Sequence, residues 1–249
     1  MNLGAVEPAI LLPALVAGLL VLASHVPLGA EVLRRGIIFI DLAVAQFAGL
    51  GIVVASALGF AVGGWPMQLS AVAAALAGAL VLRALERRAP RQLEALIGVS
   101  FVTAACAAIA LMSRDPHAGE HLQELLVGQI LWTTWGGLWP LALVTAAVLA
   151  AWYGLRLKDS PLGFYGLFAV TVTASVQVVG VYLVFASLIV PALAAAGRAG
   201  RAYGIGAAGY ALGLLASALF DLPAGAAIVL GLVVIGAVVG SVSAGVATD

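Results

Sequence analysis

Nine long apolar stretches joined by short connections leave this chain few possible folds other than a bundle of membrane-spanning helices. A helix needs about 20 mostly apolar residues to cross the hydrocarbon core of a bilayer. Since 64% of the 249 residues are hydrophobic and only 9% are charged, a water-soluble fold could not cover its surface. We therefore predict an all-α, polytopic transmembrane bundle of eight to nine spans that forms a single domain over residues 1–249. The stretches are residues 5–28, 37–60, 65–85, 95–113, 138–155, 162–177, 180–197, 203–220 and 223–243.

Two parts of this pattern leave alternatives open. Residues 125–136 are apolar but too short to cross a bilayer, so they form either a half-span or an interfacial helix before the fifth span. The sixth and seventh stretches adjoin closely at Val179-Gly180, and the span count depends on that boundary.

The positive charges predict an orientation. With nine spans and the N-terminus outside, the internal connections are residues 29–36, 86–94, 156–161 and 198–202. These connections and the adjoining helix ends hold ten of the eleven Lys and Arg residues, and only Arg114 lies elsewhere. Because cytoplasmic loops carry the excess of Lys and Arg, we expect a multi-pass protein of a bacterial inner membrane with its N-terminus outside.

Several enzyme classes are excluded by motifs that the sequence lacks. Lys158 is the only lysine and does not belong to a Gly-Lys-Ser/Thr loop, so the chain has no Walker A site for nucleotide phosphates. A His-Glu-x-x-His motif is also missing, and the single cysteine, Cys106, cannot form a disulfide within the chain. The net charge of zero gives no indication of a nucleic-acid partner. We predict that the chain is not an enzyme.

Asp41 is the one aspartate that lies clearly within a predicted span. A carboxylate inside a membrane is costly unless it faces a partner or a cavity, and such residues mark ion paths. We expect Asp41 to contact a transported ion; the alternative is a carboxylate near the interface that pairs with Arg34 and Arg35. Gln46 follows five residues later, where its side chain could line the path or form an interhelical hydrogen bond.

Four parts of the sequence, in order over most of the chain, carry a family resemblance. They are residues 27–41 (PLGAEVLRRGIIFID), 94–98 (EALIG), 124–131 (ELLVGQIL) and 179–192 (VGVYLVFASLIVPA) followed by 221–225 (DLPAG). Together they resemble the permease subunit of metal-type ABC importers, which carry zinc, manganese or iron. The resemblance implies a homodimeric permease with two cytoplasmic ATP-binding subunits and an extracytoplasmic metal-binding protein. No covalently bound cofactor is expected, only a transported divalent ion such as zinc or manganese.

The chain departs from this family at the candidate ion site. Many relatives carry an Asp-x-x-x-His pair here, whereas Asp41 is followed by Leu42-Ala43-Val44-Ala45-Gln46 and the histidine is missing. The amide oxygen of Gln46 is a harder ligand than an imidazole, which weakens the expectation of zinc.

The connection after Arg156 is a second departure, because it is shorter than in the relatives. The resemblance places a short coupling helix for the ATPase here. The residues that we assign to this contact are Asp159, Ser160, Leu162, Gly163 and Gly166. Either the coupling element is trimmed or the sixth span forms part of it.

A polar segment between the fourth and fifth spans holds a second candidate metal site. His117 and His121 have i,i+4 spacing, which places both imidazoles on one face of a helix, and Glu120 lies beside them. The segment is predicted to face outward, where a metal ion would arrive; the alternative is an ordinary polar loop. His25, near the end of the first span, has no second ligand nearby in sequence, and we expect it to be structural.

Two other functions remain open from the sequence. A secondary ion-coupled carrier is one, although such carriers usually show internal repeats and broken helices around a midplane site. A non-transporting, permease-like membrane subunit is the other, because the coupling segment is short.

Overall fold

The computed structural model describes residues 7–60, 64–112 and 128–246, and it describes side chains as far as residue 241. Within these residues every regular element is helical, which confirms the prediction of an all-α bundle. The α-helices are α1 Pro8–Arg35, α2 Ile40–Ala57, α3 Trp65–Arg88, α4 Leu93–Met112, α5 Leu138–Leu149, α6 Pro161–Val179, α7 Val181–Ala194, α8 Ala199–Phe220 and α9 Ala224–Val246.

Among the described residues, seven helices are long and apolar enough to cross a membrane, namely α1 to α4, α6, α8 and α9. The other two are shorter. Helix α5 continues as a π-helical turn over Ala150–Gly154, and α7 has 14 residues, or about 21 Å of helix. Each of the nine predicted stretches therefore corresponds to one helix.

The end of α1 differs from the prediction. The apolar stretch was expected to end at residue 28, but the helix continues to Arg35. Its last turns are held by Glu31, whose carboxylate accepts hydrogen bonds from Arg34 and, at 2.6 Å, from Arg35. Cations in the last turn also interact favourably with the helix dipole. Gly36 follows with φ 68°, a left-handed conformation that ends the helix at low cost.

The described chain divides into two compact units, each built from separate segments. The first comprises Met1–Arg35, Leu126–Thr145 and Ser175–Asp249, and its main helices are α1, α7, α8 and α9. In this unit α9 packs against α7 and α8, and α1 also packs against both. Gly213 of α8 lies so close to α9 that a Cβ atom there would meet the Cα of Ile228 at 2.2 Å. Close approach through small residues is the usual way for membrane helices to pack.

The second unit comprises Gly36–Leu125 and Ala146–Ala174, with α2, α3 and α4 as its main helices. Helix α2 packs against both α3 and α4. The hydroxyl of Ser70 in α3 donates a 2.7 Å hydrogen bond to the carbonyl of Gly51 in α2. In the same unit, Trp152 of the π-helical turn packs on Phe164 of α6, with ring centroids 6.4 Å apart.

Candidate ion-binding site

Asp41 lies in the first turn of α2 and is 1% exposed. Neither of its carboxylate oxygens has a hydrogen-bond partner within the part of the chain that the structure describes. The ion pair with Arg34 and Arg35 is not observed, because both guanidinium groups bind Glu31 instead. A buried carboxylate without a partner is costly, although the start of a helix favours negative charge. Asp41 therefore has the burial and the free oxygens that a cation ligand needs.

Glu94 is a second carboxylate in the same unit, and the sequence did not single out its side chain. It lies in the first turn of α4, and its Oε1 accepts a 3.2 Å hydrogen bond from the backbone N–H of Phe39, the residue that precedes α2. Its Oε2 is buried and has no hydrogen-bond partner among the described residues. Glu94 thus connects α4 to the turn of α2 that carries Asp41.

Gln46 lies on the same helix as Asp41 but not on the same side. It is half-buried, and a separation of five residues corresponds to about 140° around a helix axis. The two side chains therefore do not point in one direction from α2.

The predicted outward-facing metal site, with His117, Glu120 and His121, lies outside the described residues. Within the described residues, no three His, Cys, Asp or Glu side chains come together as a metal site. The candidate ligands among the described residues, Asp41, Glu94 and Gln46, are all oxygen donors, a ligand type that suits hard cations better than soft ones.

The segment assigned to ATPase contact joins α5 to α6 and does not form a separate short helix. Leu157–Asp159 is a 3₁₀ turn, and α6 begins at Pro161. Ser160 caps α6, because its hydroxyl accepts a 2.9 Å hydrogen bond from the N–H of Gly163 and Pro161 follows it directly. The sixth predicted span therefore contains most of the predicted coupling residues.

The side chains of this segment differ in their surroundings. Asp159, Ser160 and Leu162 are exposed. A Cβ atom on Gly163 would lie 2.2 Å from the carbonyl oxygen of Leu157, whereas one on Gly166 would meet nothing within 4 Å. The sequence pattern could not separate these two glycines, because the difference depends on how the chain turns back at Leu157.

Several residues that carry the family resemblance are packing residues in the first unit. Gly29 lies against the backbone of Leu188 in α7, so the first and last motifs meet there. Gly128 lies against the backbone of Val179 and Gly180, which joins the third motif to the last one. Such contacts explain why glycine stands at these positions.

Comparisons with known proteins identify the family and the fold of the chain. The model of the ABC 3 transport family matches residues 7–159 and 146–243. PsaBC from Streptococcus pneumoniae, solved in complex with Fab, has a similar fold, with a TM-score of 0.73, 20% sequence identity, and coverage of 96% of this chain and 95% of that chain. A metal-chelate type ABC transporter in an inward-facing conformation matches with a TM-score of 0.55 and 15% sequence identity. The match covers 92% of this chain and 76% of that chain.

No curated protein matches the chain by sequence. At identities of 20% and 15%, the solved structures establish the fold alone. The family model covers most of the chain and describes a transporter family rather than an enzyme family. The chain therefore belongs to the ABC 3 transport family, the permeases of metal-type ABC transporters that its motifs resemble.

Proposed function

We propose that the chain is the membrane-spanning subunit of an ATP-driven importer for a divalent metal ion, zinc or manganese. Two copies form the path, cytoplasmic ATP-binding subunits drive it, and an extracytoplasmic metal-binding protein delivers the ion. Membership of the ABC 3 transport family supports this proposal, and one structural relative is described as a metal-chelate type ABC transporter. The chain would lie in a bacterial inner membrane with its N-terminus outside.

The observation that carries the proposal is the state of Asp41. Its carboxylate is buried in a membrane helix, and both oxygens lack a partner among the described residues. A permease that passes a divalent cation needs a ligand that binds the ion and then releases it, and an oxygen donor with no competing hydrogen bond can do both. Gln46 is the proposed neutral oxygen donor further along α2. His117, Glu120 and His121 remain the proposed capture site.

Substitution of Asp41 by Asn tests this role, because Asn has nearly the same shape and cannot carry the negative charge. We expect Asp41→Asn to reduce ATP-dependent zinc or manganese uptake by about tenfold or more in vesicles that contain the assembled transporter. The reason is that a buried charged group contributes more than about 1.4 kcal/mol to the binding free energy of its partner, and this energy corresponds to a factor of about ten.

Asp221→Asn is the matched control for this substitution. Asp221 is exposed and has a left-handed backbone (φ 55°), which Asn also tolerates, so this change removes one carboxylate without strain. The control should transport like the parent. Equal transport by Asp41→Asn and the parent would refute the ion-ligand role.

Co-purification tests the subunit role separately. The assembled complex should contain an ATP-binding subunit, and the ATPase activity of that subunit should rise when the permease is present. A complex that never contains an ATPase, together with vesicles that show no ATP-dependent uptake, would favour the non-transporting subunit instead.

A further inference from the structure

Three arginines at the turn between α3 and α4 form an exposed basic patch. Arg87 and Arg88 are the last two residues of α3, and Arg91 lies in the 3₁₀ turn Pro90–Gln92 that leads into α4. All three residues are exposed. Since each residue extends the chain by at most about 3.6 Å, the Cα atoms of Arg88 and Arg91 lie within about 11 Å of each other. These three residues are called the arginine patch below.

The charge of the arginine patch is not neutralised within the part of the chain that the structure describes. None of its three residues forms an ion pair there. The carboxylates nearest in sequence, Glu86 and Glu94, belong to residues that are less exposed than the arginines, and Glu94 accepts its hydrogen bond from the N–H of Phe39. The turn therefore presents positive charge at its surface.

The arginine patch lies at the end of the exposed faces of α3 and α4. Exposed residues recur at helical spacing on both helices, at 66, 69, 73, 77, 80, 84 and 87 on α3 and at 95, 99, 102, 106 and 109 on α4. Leu69, Leu80, Val99 and Val102 are each more than half exposed on these faces. Apolar side chains on the outer face of a membrane helix contact lipid tails, so the arginine patch adjoins a surface that faces lipid.

The length of α3 places the arginine patch at the depth of the lipid headgroups. Trp65, the first residue of α3, is 80% exposed, and such tryptophans prefer the interface between membrane and water. Arg87 follows 22 residues later, which corresponds to about 33 Å of helix. The hydrocarbon core of a bilayer is about 30 Å thick. With Trp65 at one interface, Arg87 reaches the other one.

We propose that the arginine patch binds the phosphate of an anionic lipid headgroup. The planar fork of a guanidinium group donates two hydrogen bonds to phosphate oxygens, and several arginines in one turn can hold one headgroup or two neighbouring ones. Basic clusters at the ends of membrane helices attract anionic lipids. A zwitterionic headgroup carries its own cation, which repels the arginines. This site goes beyond the proposed function and does not depend on it.

The position of the arginine patch favours a lipid over an ATP-binding subunit as its partner. The arginines continue the lipid-facing surfaces of α3 and α4 without interruption. The residues predicted to contact the ATPase lie in a different connection, between α5 and α6. An anionic lipid also complements the charge of the arginine patch and is present in the membrane around it.

Native mass spectrometry tests the lipid site with the full chain alone. The chain is placed in nanodiscs of equal parts phosphatidylglycerol and phosphatidylcholine, and the lipids that stay bound after release are counted. We expect the parent to retain more phosphatidylglycerol than phosphatidylcholine. The triple change Arg87→Gln, Arg88→Gln and Arg91→Gln should lower this ratio about tenfold or more, because each basic residue at a membrane surface contributes a factor of about five. Equal retention of both lipids by the parent would overturn the proposal.

The matched control removes three positive charges from other connections. Arg156→Gln, Lys158→Gln and Arg198→Gln change the net charge equally, and their connections lie at the same membrane face as the arginine patch in the proposed orientation. The control should keep the ratio of the parent within about twofold. An equal fall in both triple variants would show general charge attraction and overturn a defined site.

Two further measurements keep the test conclusive. In nanodiscs of phosphatidylcholine alone, the Gln variant of the arginine patch should unfold at the same temperature as the parent, because its positions are exposed and Gln favours a helix nearly as well as Arg. If that variant does not fold, Arg88→Gln alone should still lower the lipid ratio about threefold or more. A variant that keeps the lipid ratio of the parent but loses the ATP-binding subunit from the assembled complex would assign the arginine patch to that subunit and overturn the lipid site.

Discussion

At the scale of single residues, the contact between Glu94 and Phe39 makes the first turn of α2 depend on α4. The N–H groups at a helix start have no partners within the helix, and the side chain of Phe39 cannot cap one. Glu94 provides an acceptor for the N–H of Phe39 from 55 positions away in the sequence. Asp41 lies two residues later, so Glu94 acts as a positioning residue for the candidate ion ligand.

A pair of substitutions separates the hydrogen bond of Glu94 from its charge. Glu94→Ala removes the acceptor and should lower the free energy of unfolding by about 1 kcal/mol, with faster hydrogen exchange at the amide of Phe39. Glu94→Gln keeps an oxygen acceptor of the same length and should retain most of this stability. Thermal unfolding in detergent and hydrogen exchange by mass spectrometry measure both effects. Equal destabilisation by Gln and Ala would show that the charge of Glu94 matters, rather than the hydrogen bond.

The residues of the site differ in how far the sequence could predict them. Asp41 could be predicted, because a lone carboxylate in an apolar run is visible without any contact information. Glu94 could not, because its hydrogen bond with Phe39 and its unpartnered Oε2 depend on the packed structure.

At the scale of elements, the connection between α5 and α6 combines a stiff turn with an exposed surface. The π-helical turn ends at Gly154, Arg156 has a left-handed backbone, and Ser160 starts α6 with its cap. The backbone conformation defines the path of this connection. The side chains of Asp159 and Leu162 are exposed and can contact another protein. If an ATP-binding subunit contacts this connection as predicted, it must do so through the exposed side chains.

The two glycines of this connection provide a test of its structure. Gly163→Ala should lower the free energy of unfolding by about 1–3 kcal/mol, because the new Cβ atom meets the carbonyl of Leu157 and forces the turn to shift. Gly166→Ala should be neutral or stabilising by up to about 1 kcal/mol, since the position is open and Ala favours a helix. Thermal unfolding of the purified chain measures the difference. Equal effects of the two substitutions would contradict the packing at Gly163.

Hydropathy predicted the existence of every described α-helix, but not all of the helix ends. The core of a span is set by the need to exclude water, which local composition records. The end of α1 depends instead on the ion pairs of Glu31 and on Gly36, and α7 ends where Ala196 and Gly197 both have positive φ. These features depend on single side chains and backbone angles rather than on average polarity.

At the scale of the whole molecule, the positive charges favour one arrangement across the membrane. The connections after α1, α3, α5 and α7, with the adjoining helix ends, hold every Lys and Arg in the described residues. The described parts of the connections after α2, α4, α6 and α8 hold none. From the positive-inside rule we expect the first group to lie in the cytoplasm. In that orientation α2 begins at the cytoplasmic side, so Asp41 would meet the ion near its exit.

Cysteine labelling tests this orientation directly. In a Cys106→Ala background, which removes the single native thiol, Arg91→Cys should react with a membrane-impermeant maleimide only after spheroplasts are permeabilised. Leu222→Cys should react in intact spheroplasts, because it is exposed between α8 and α9. The reverse pattern would invert the orientation and place Asp41 at the entrance, on the side of the proposed delivery protein. In the proposed arrangement five helices separate residue 91 from residue 222, and the chain crosses the membrane once in each, so the two residues lie on opposite sides. Labelling of both cysteines from the same side would therefore mean that the number of crossings between them is even.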